Sequence, residues 1–131
     1  MVYKESELTR KIIGLAMKVH REIGPGFQER IYHKGMILAL QDARMEYESE
    51  REFKVFYANK WVGTFRADLV VEDKIIVELK SVCGEMPELF KTQTISYLKA
   101  SRKEVGLLIN FGNRNLDIKR LAHYHNYIPS K

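Results

Sequence analysis

The run Phe65-Arg66-Ala67-Asp68-Leu69-Val70-Val71, the polar triplet Glu72-Asp73-Lys74, and then Ile75-Ile76-Val77-Glu78-Leu79-Lys80 constrain this chain more than any other segment. Apolar and β-branched residues on both sides of a polar triplet specify two antiparallel strands joined by a tight turn. With the turn centred on Asp73, Val71 opposes Ile75, Leu69 opposes Val77 and Ala67 opposes Leu79, so that one face is wholly apolar. A slip of one residue would turn that face to water, which fixes the register. The same register sets Asp68 opposite Glu78 and Arg66 opposite Lys80 on the other face. Cross-strand partners lie about 4.5–5.5 Å apart at Cβ, so two facing carboxylates destabilise the hairpin unless a proton or a cation lies between them. A hard divalent ion would resolve the conflict: Mg²⁺ is typically held by one or two carboxylates, with waters and phosphate oxygens completing the shell. Lys80, two residues from Glu78, points to the same face. The same charges also describe a solvated sheet face on which Arg66 and Lys80 neutralise the acids diagonally. Glu-x-Lys recurs at Glu52-Phe53-Lys54 and Glu72-Asp73-Lys74, so spacing alone does not decide between the two.

The rest of the chain supplies elements to pack on this hairpin. Leu8, Ile12, Leu15, Ala16, Val19 and Ile23 recur at helical spacing behind Ser6, a residue suited to capping, and predict a helix over about 6–22. Gly24-Pro25-Gly26 ends it, and Phe27, Ile31 and Leu38 mark a second helix over about 27–43 with Glu29 in its first turn. From Met45 to Lys80 the period is two, interrupted at Asn59-Lys60 and at Glu72-Asp73-Lys74, which predicts an antiparallel meander. Pro87 opens a third helix to about Ser101. Val105 to Asn110 reads as a strand buried on both faces, and Leu116 and Ile118 add one more. The expectation is one α/β domain over 1–131, without repeats or linkers.

Composition narrows the setting. At 131 residues the chain suits one hydrophobic core. Its apolar stretches, such as that around Ile12 to Met17, fall short of the roughly 18–20 residues of a membrane span. No secretion-signal pattern precedes Lys4, and the single Cys83 cannot form an intrachain disulfide, so a reducing cytoplasm is the expected compartment. A net charge of +5 and a pI near 9.3 favour contact with a polyanion such as nucleic acid.

Asp68 followed by Glu78-x-Lys80 on the next strand resembles the signature of the PD-(D/E)XK nuclease superfamily, the restriction-endonuclease-like fold. More closely, Gly26-x-x-Glu29-x-x-Tyr32, Arg66-Ala67-Asp68-Leu69, Val77-Glu78-Leu79-Lys80 and Gly106-Leu107-Leu108-Ile109-Asn110-Phe111-Gly112 resemble the small GxxExxY proteins assigned to it. The similarity spans roughly residues 6–121, with Ala67 in place of the proline of the superfamily's name. It implies an αβββαβ core with a mixed central sheet built on the meander and flanking helices. It further implies a phosphodiesterase acting on DNA with Mg²⁺ or Mn²⁺. Glu29, Asp68 and Glu78 would be the metal ligands, Leu79 would add its backbone carbonyl, and Lys80 would be the catalytic lysine that orients or activates water. An acid at the start of a helix also simply complements the helix dipole, so Glu29 has an ordinary structural role open to it.

Gln93 and Tyr97 share a helix face, and Gln-x-x-x-Tyr resembles a motif of RecB-type nucleases, which implies contacts to Lys80 or the substrate backbone; plain helix packing is the alternative. His20 reaches the metal if it follows the helix histidine of some RecB-type enzymes, and is otherwise structural. His123 and His125 lack a third ligand nearby and are read as non-catalytic. Phe53, Val55, Tyr57, Trp61 and Phe65 alternate through the first hairpin as base-stacking groups, core, or an interface; a homodimer is expected on the family pattern. Lys91, Lys99, Arg102 and Lys103 are either phosphate contacts or a solvated face. A second function stays open: a non-catalytic nucleic-acid-binding or oligomerising subunit on the same fold.

Overall fold

A computed structural model describes residues 4–125. They form α1 (Ser6–Ile23), α2 (Glu29–Asp42), β1 (Tyr47–Tyr57), β2 (Lys60–Val71), β3 (Ile75–Lys80), α3 (Glu88–Ser101), β4 (Val105–Asn110) and β5 (Asp117–Ala122). The strands make one sheet in the order β1-β2-β3-β4-β5, antiparallel except for the parallel pair β3–β4. Parallel neighbours need a crossover, and α3 supplies it. This is the mixed α/β, restriction-endonuclease-like architecture the sequence implied, with an extra helix in front and an edge strand at the end. Among the described residues, no helix is long and apolar enough to cross a membrane.

Helices on both faces bury the middle of the sheet, which is why β3 and β4 are almost continuously apolar. On one face Ile12 and Ala16 of α1 and Tyr32, Met36 and Leu40 of α2 pack on Leu69, Val77, Leu79, Leu107, Ile109 and Phe111. On the other, Leu98 of α3 packs with Ala67, Val70 and Ile76. Tyr32 stacks on Phe111 with ring centroids 4.6 Å apart, an arrangement worth about 0.5–1.5 kcal/mol beyond burial.

The predicted hairpin register is present: Leu69 pairs with Val77, Val70 with Ile76 and Val71 with Ile75. Glu72 and Asp73 both take left-handed backbone, as tight hairpin turns require, and the Lys74 N–H donates to the Val71 carbonyl at 3.0 Å.

Four local expectations are corrected. Ala67 does not share a face with Leu79; it lies on the α3 side while Leu79 faces α1 and α2. The β1–β2 ladder lacks a rung between Ser49–Leu69 and Arg51–Ala67, where Glu50 adopts left-handed backbone (φ 53°), and on β2 the alternation does not carry across this point. Ser6 is the first helical residue instead of the cap, because Glu5 already accepts the first helical bond from the Thr9 N–H. The first hairpin turns at Ala58-Asn59, and Lys60 already pairs with Tyr57. A register shift between Val55 and Phe56 breaks the aromatic alternation expected along this hairpin.

Candidate active site

Beyond Leu69–Val77 the β2–β3 ladder stops, and the side chains of Asp68 and Glu78 take over its rungs. The Asp68 N–H donates to Glu78 Oε2 at 2.8 Å, and the Leu79 N–H donates to Asp68 Oδ2 at 2.8 Å. Each carboxylate thereby satisfies the other strand's backbone where the strands part. Each also keeps one oxygen, Oδ1 of Asp68 and Oε1 of Glu78, without a protein donor among the described residues. Glu78 is buried, with 4% of its surface exposed, and Asp68 is half-buried. An open, solvated sheet face is therefore ruled out for Glu78.

Arg66 does not face Lys80 as the extended register would have it. It turns away to Glu52 across the first hairpin at 3.3 Å, because the ladder that would have set it there has ended. Half-buried Lys80 instead lays its ammonium over the Phe90 ring of α3, 4.6 Å from the centroid. That leaves the lysine without a direct ion pair among the described residues but close enough for its charge to act on all three acids, Glu29, Asp68 and Glu78.

The turn before α2 aims Glu29 at this hairpin. Gly24 and Gly26 have φ of 84° and 94°, a region open to glycine at little cost. Tyr32, one turn after Glu29 and fully buried, donates its hydroxyl to the Gly24 carbonyl at 2.6 Å and accepts the Phe27 N–H at 3.1 Å. The Ser81 hydroxyl, next to Lys80, donates to the Phe27 carbonyl. The Gly26-x-x-Glu29-x-x-Tyr32 pattern thus divides into a turn, an outward acid and the buried pin that holds the turn.

These groups act on one another electrostatically. Burial foremost, then the Asp68 charge, pushes Glu78 up to about 8, and the same two causes raise Glu29, which lies exposed at the cluster's edge. Burial also raises Asp68, against the opposing hydrogen bond from Leu79 and the charges of His33 and Lys80. Tyr97 is raised by burial and by the charges of Glu78 and Asp68, so it borders the cluster; its ring stacks on Phe65 at 4.1 Å.

Two contributors escaped sequence reasoning. His33, one turn beyond Glu29 on α2, acts on both Glu29 and Asp68 while its Nε2 bonds the Ser49 hydroxyl at 2.9 Å; its spacing from Glu29 was the available signal. Glu50 raises Asp68 from the broken rung of β1, and no sequence signal marked it.

Other candidates stand apart. His20 is buried, with Nε2 bonded to the Asn113 carbonyl at 2.8 Å, and its described contacts run to that loop and to Phe111. Gln93 is exposed on α3, and its side chain makes no hydrogen bond among the described residues. His123 and His125 pack edge to face at 5.0 Å, and His125 bonds Lys103 and Glu104. Lys103 pins the Asp73 turn and Lys91 pairs with Glu88, so the expected basic face is partly occupied by structural contacts.

The donor set suits a hard divalent cation. It consists of carboxylate oxygens at a site with more acids than bases, and like charges meet there in partial burial. Among the described residues, no three His, Cys, Asp or Glu side chains form a ready-made cage. Mg²⁺ in particular takes one or two carboxylates and leaves the rest to water and phosphate, so an incomplete cage is compatible with it.

A family model described as the PD-(D/E)XK nuclease superfamily matches residues 6–121. A crystal structure of SSO0001 is similar with a TM-score of 0.59 and 22% identity, covering 93% of this chain and 60% of that one, a likeness of fold. The chain therefore spans about three fifths of the length of that one. No curated protein matches the chain.

Proposed function

The chain belongs to the PD-(D/E)XK nuclease superfamily, and from that premise we propose that it is a metal-dependent phosphodiesterase acting on DNA, of the GxxExxY type. The observation that carries this reading is the reciprocal bonding of Asp68 and Glu78 where β2 and β3 part. It fixes a buried and a half-buried carboxylate side by side, a placement that costs stability without a cation. Asp68 and Glu78 would hold the metal with the carbonyl of Leu79, and Glu29 would complete the shell directly or through water. Strand alternation supports Leu79. The Lys80 carbonyl bonds Phe111 on the β4 side, so the N–H and C=O of Leu79 face β2, where the N–H meets Asp68. The chemistry such a bound divalent ion would supply is a lower pKa for a water and positive charge to offset that of the phosphate.

The chain's own groups supply the remainder. Lys80 projects from β3 beside Glu78, and its ammonium orients the attacking water and stabilises negative charge that develops on the phosphate oxygens. Phe90 restrains the long side chain over its ring, so less of that lysine's freedom is lost on reaching the reacting centre. Tyr97, at the edge of the cluster, and Gln93, exposed on the same helix, contact the substrate backbone.

The test is cleavage of labelled single-stranded, duplex and branched DNA and RNA in Mg²⁺ or Mn²⁺ against chelator. Metal-dependent cleavage lost in Asp68→Asn is the expected result. No cleavage of any substrate, with no metal-induced rise in melting temperature, would contradict the reading and favour a non-catalytic binding subunit.

A further inference from the structure

We propose that the outer part of the β1–β2 hairpin is a strand-gripping arm, with Phe56, Tyr57 and Trp61 stacking on unpaired nucleobases of the substrate and Lys54 and Lys60 meeting its phosphates. This rests on the phosphodiesterase reading for the identity of the ligand and extends it to single-stranded or locally unpaired substrate. β1 and β2 pair from Tyr47–Val71 out to Tyr57–Lys60, whereas β3 joins β2 only at Leu69–Val71, so the hairpin runs on past the rest of the sheet. Left-handed Ala58 and Asn59 close its tip tightly, which makes it a paired ribbon.

Phe56, Tyr57, Trp61 and Val62 are 59%, 77%, 62% and 61% exposed there. Phe56 pairs with Trp61 across the two strands, so these exposed rings meet at the tip; large apolar side chains exposed together mark a contact site, and the charge around them selects the partner. From Lys54 to Thr64 the chain carries two lysines and no acid. The Lys54 ammonium stands 5.4 Å from the centroid of the Trp61 ring, whose Nε1–H donates to the Gly63 carbonyl at 2.8 Å. Oriented rings interleaved with cations are what grips a polyanionic strand without regard to sequence. A second copy docked tip to tip would set like charge against like.

The arm is tied to the acid cluster. Phe53 stacks on Phe65 at 5.2 Å and Phe65 on Tyr97, which borders Asp68 and Glu78. At about 3.3 Å per strand residue, Trp61 lies roughly 23 Å along β2 from Asp68. Only a strand extending well past the scissile phosphate reaches it.

Trp61 is the sole tryptophan, so its emission reports on the arm directly. Metal-free protein in chelator, titrated with a thymidine oligonucleotide, is expected to show saturable quenching that weakens with salt. Phe56→Ala, and Trp61→Ala followed by anisotropy of the labelled oligonucleotide, are each expected to weaken binding by about tenfold. With Mn²⁺, Trp61→Ala should raise KM for a long single strand and leave hydrolysis of bis(p-nitrophenyl) phosphate unchanged. Unchanged emission with unchanged affinity in both variants overturns the proposal. So does emission that shifts with protein concentration alone as the mass doubles, which would give the arm to a second copy. The chelated titration needs no cleavage, so a protein that cuts nothing would refute the phosphodiesterase reading and leave this readout intact.

Discussion

Glu78 gives the cluster a measurable signature. Its carboxyl titrates near 4.5 ordinarily and is raised to about 8 in the folded chain, by burial first and by Asp68 second. The native state thus binds this proton more tightly than the unfolded chain. The associated stability is fully present below about 4.5 and is lost as pH rises toward 8. Metal-free protein should therefore melt at a lower temperature at pH 8 than at pH 5.5, and Glu78→Gln should remove much of that slope. Because a metal requires the ionised carboxylate, Mn²⁺ should raise the melting temperature more at pH 8 than at pH 6. A slope unchanged in Glu78→Gln would place the titration elsewhere. Asp68, Glu78 and Lys80 were legible because a hairpin register fixes which side chains are neighbours. His33 and Glu50 were not, since they arrive from α2 and from a backbone irregularity on β1 that no local pattern encodes.

At the level of elements, the site depends on two anchored turns. Tyr32 holds the Gly24–Phe27 turn through both the Gly24 carbonyl and the Phe27 N–H. Tyr32→Phe should cost about 1–3 kcal/mol by leaving those backbone groups without their partner, read by denaturant unfolding. It should also lower activity, since Glu29 follows that turn; unchanged stability would mean the hydroxyl is not the pin. On the other side, Asn110 clasps the segment after β3: its Oδ1 accepts the Val82 N–H at 2.9 Å and its Nδ2 donates to the Val82 carbonyl at 3.0 Å. Gly112 lies so near that a Cβ would overlap the Val82 backbone. Gly112→Ala should therefore destabilise the fold by about 1–3 kcal/mol in the same assay, and wild-type stability would show that the loop yields freely. Helix and strand order was readable from periodicity alone. The face of Ala67 was misread because strict alternation was carried through Asp68, where it ends beside the missing rung at Glu50.

Over the whole molecule, three layers bring the parts of the site together at one end of the sheet. α2 delivers Glu29 and His33, the parting β2 and β3 deliver Asp68, Glu78 and Lys80, and α3 delivers Phe90 and Tyr97. The sequence announced the layers through the continuous apolar strands, which need cover on both faces. It did not announce that α3 would shelter the lysine, because that contact depends on how the crossover helix seats against β3. The most direct test of the account compares wild type with Lys80→Ala, purified identically, for DNA cleavage in Mn²⁺ and for the rise in melting temperature that Mn²⁺ causes. The account predicts cleavage reduced by about 10²-fold or more in Lys80→Ala, with the metal-induced rise kept, because the lysine stabilises charge and does not ligate. Equal cleavage by the two proteins would contradict it.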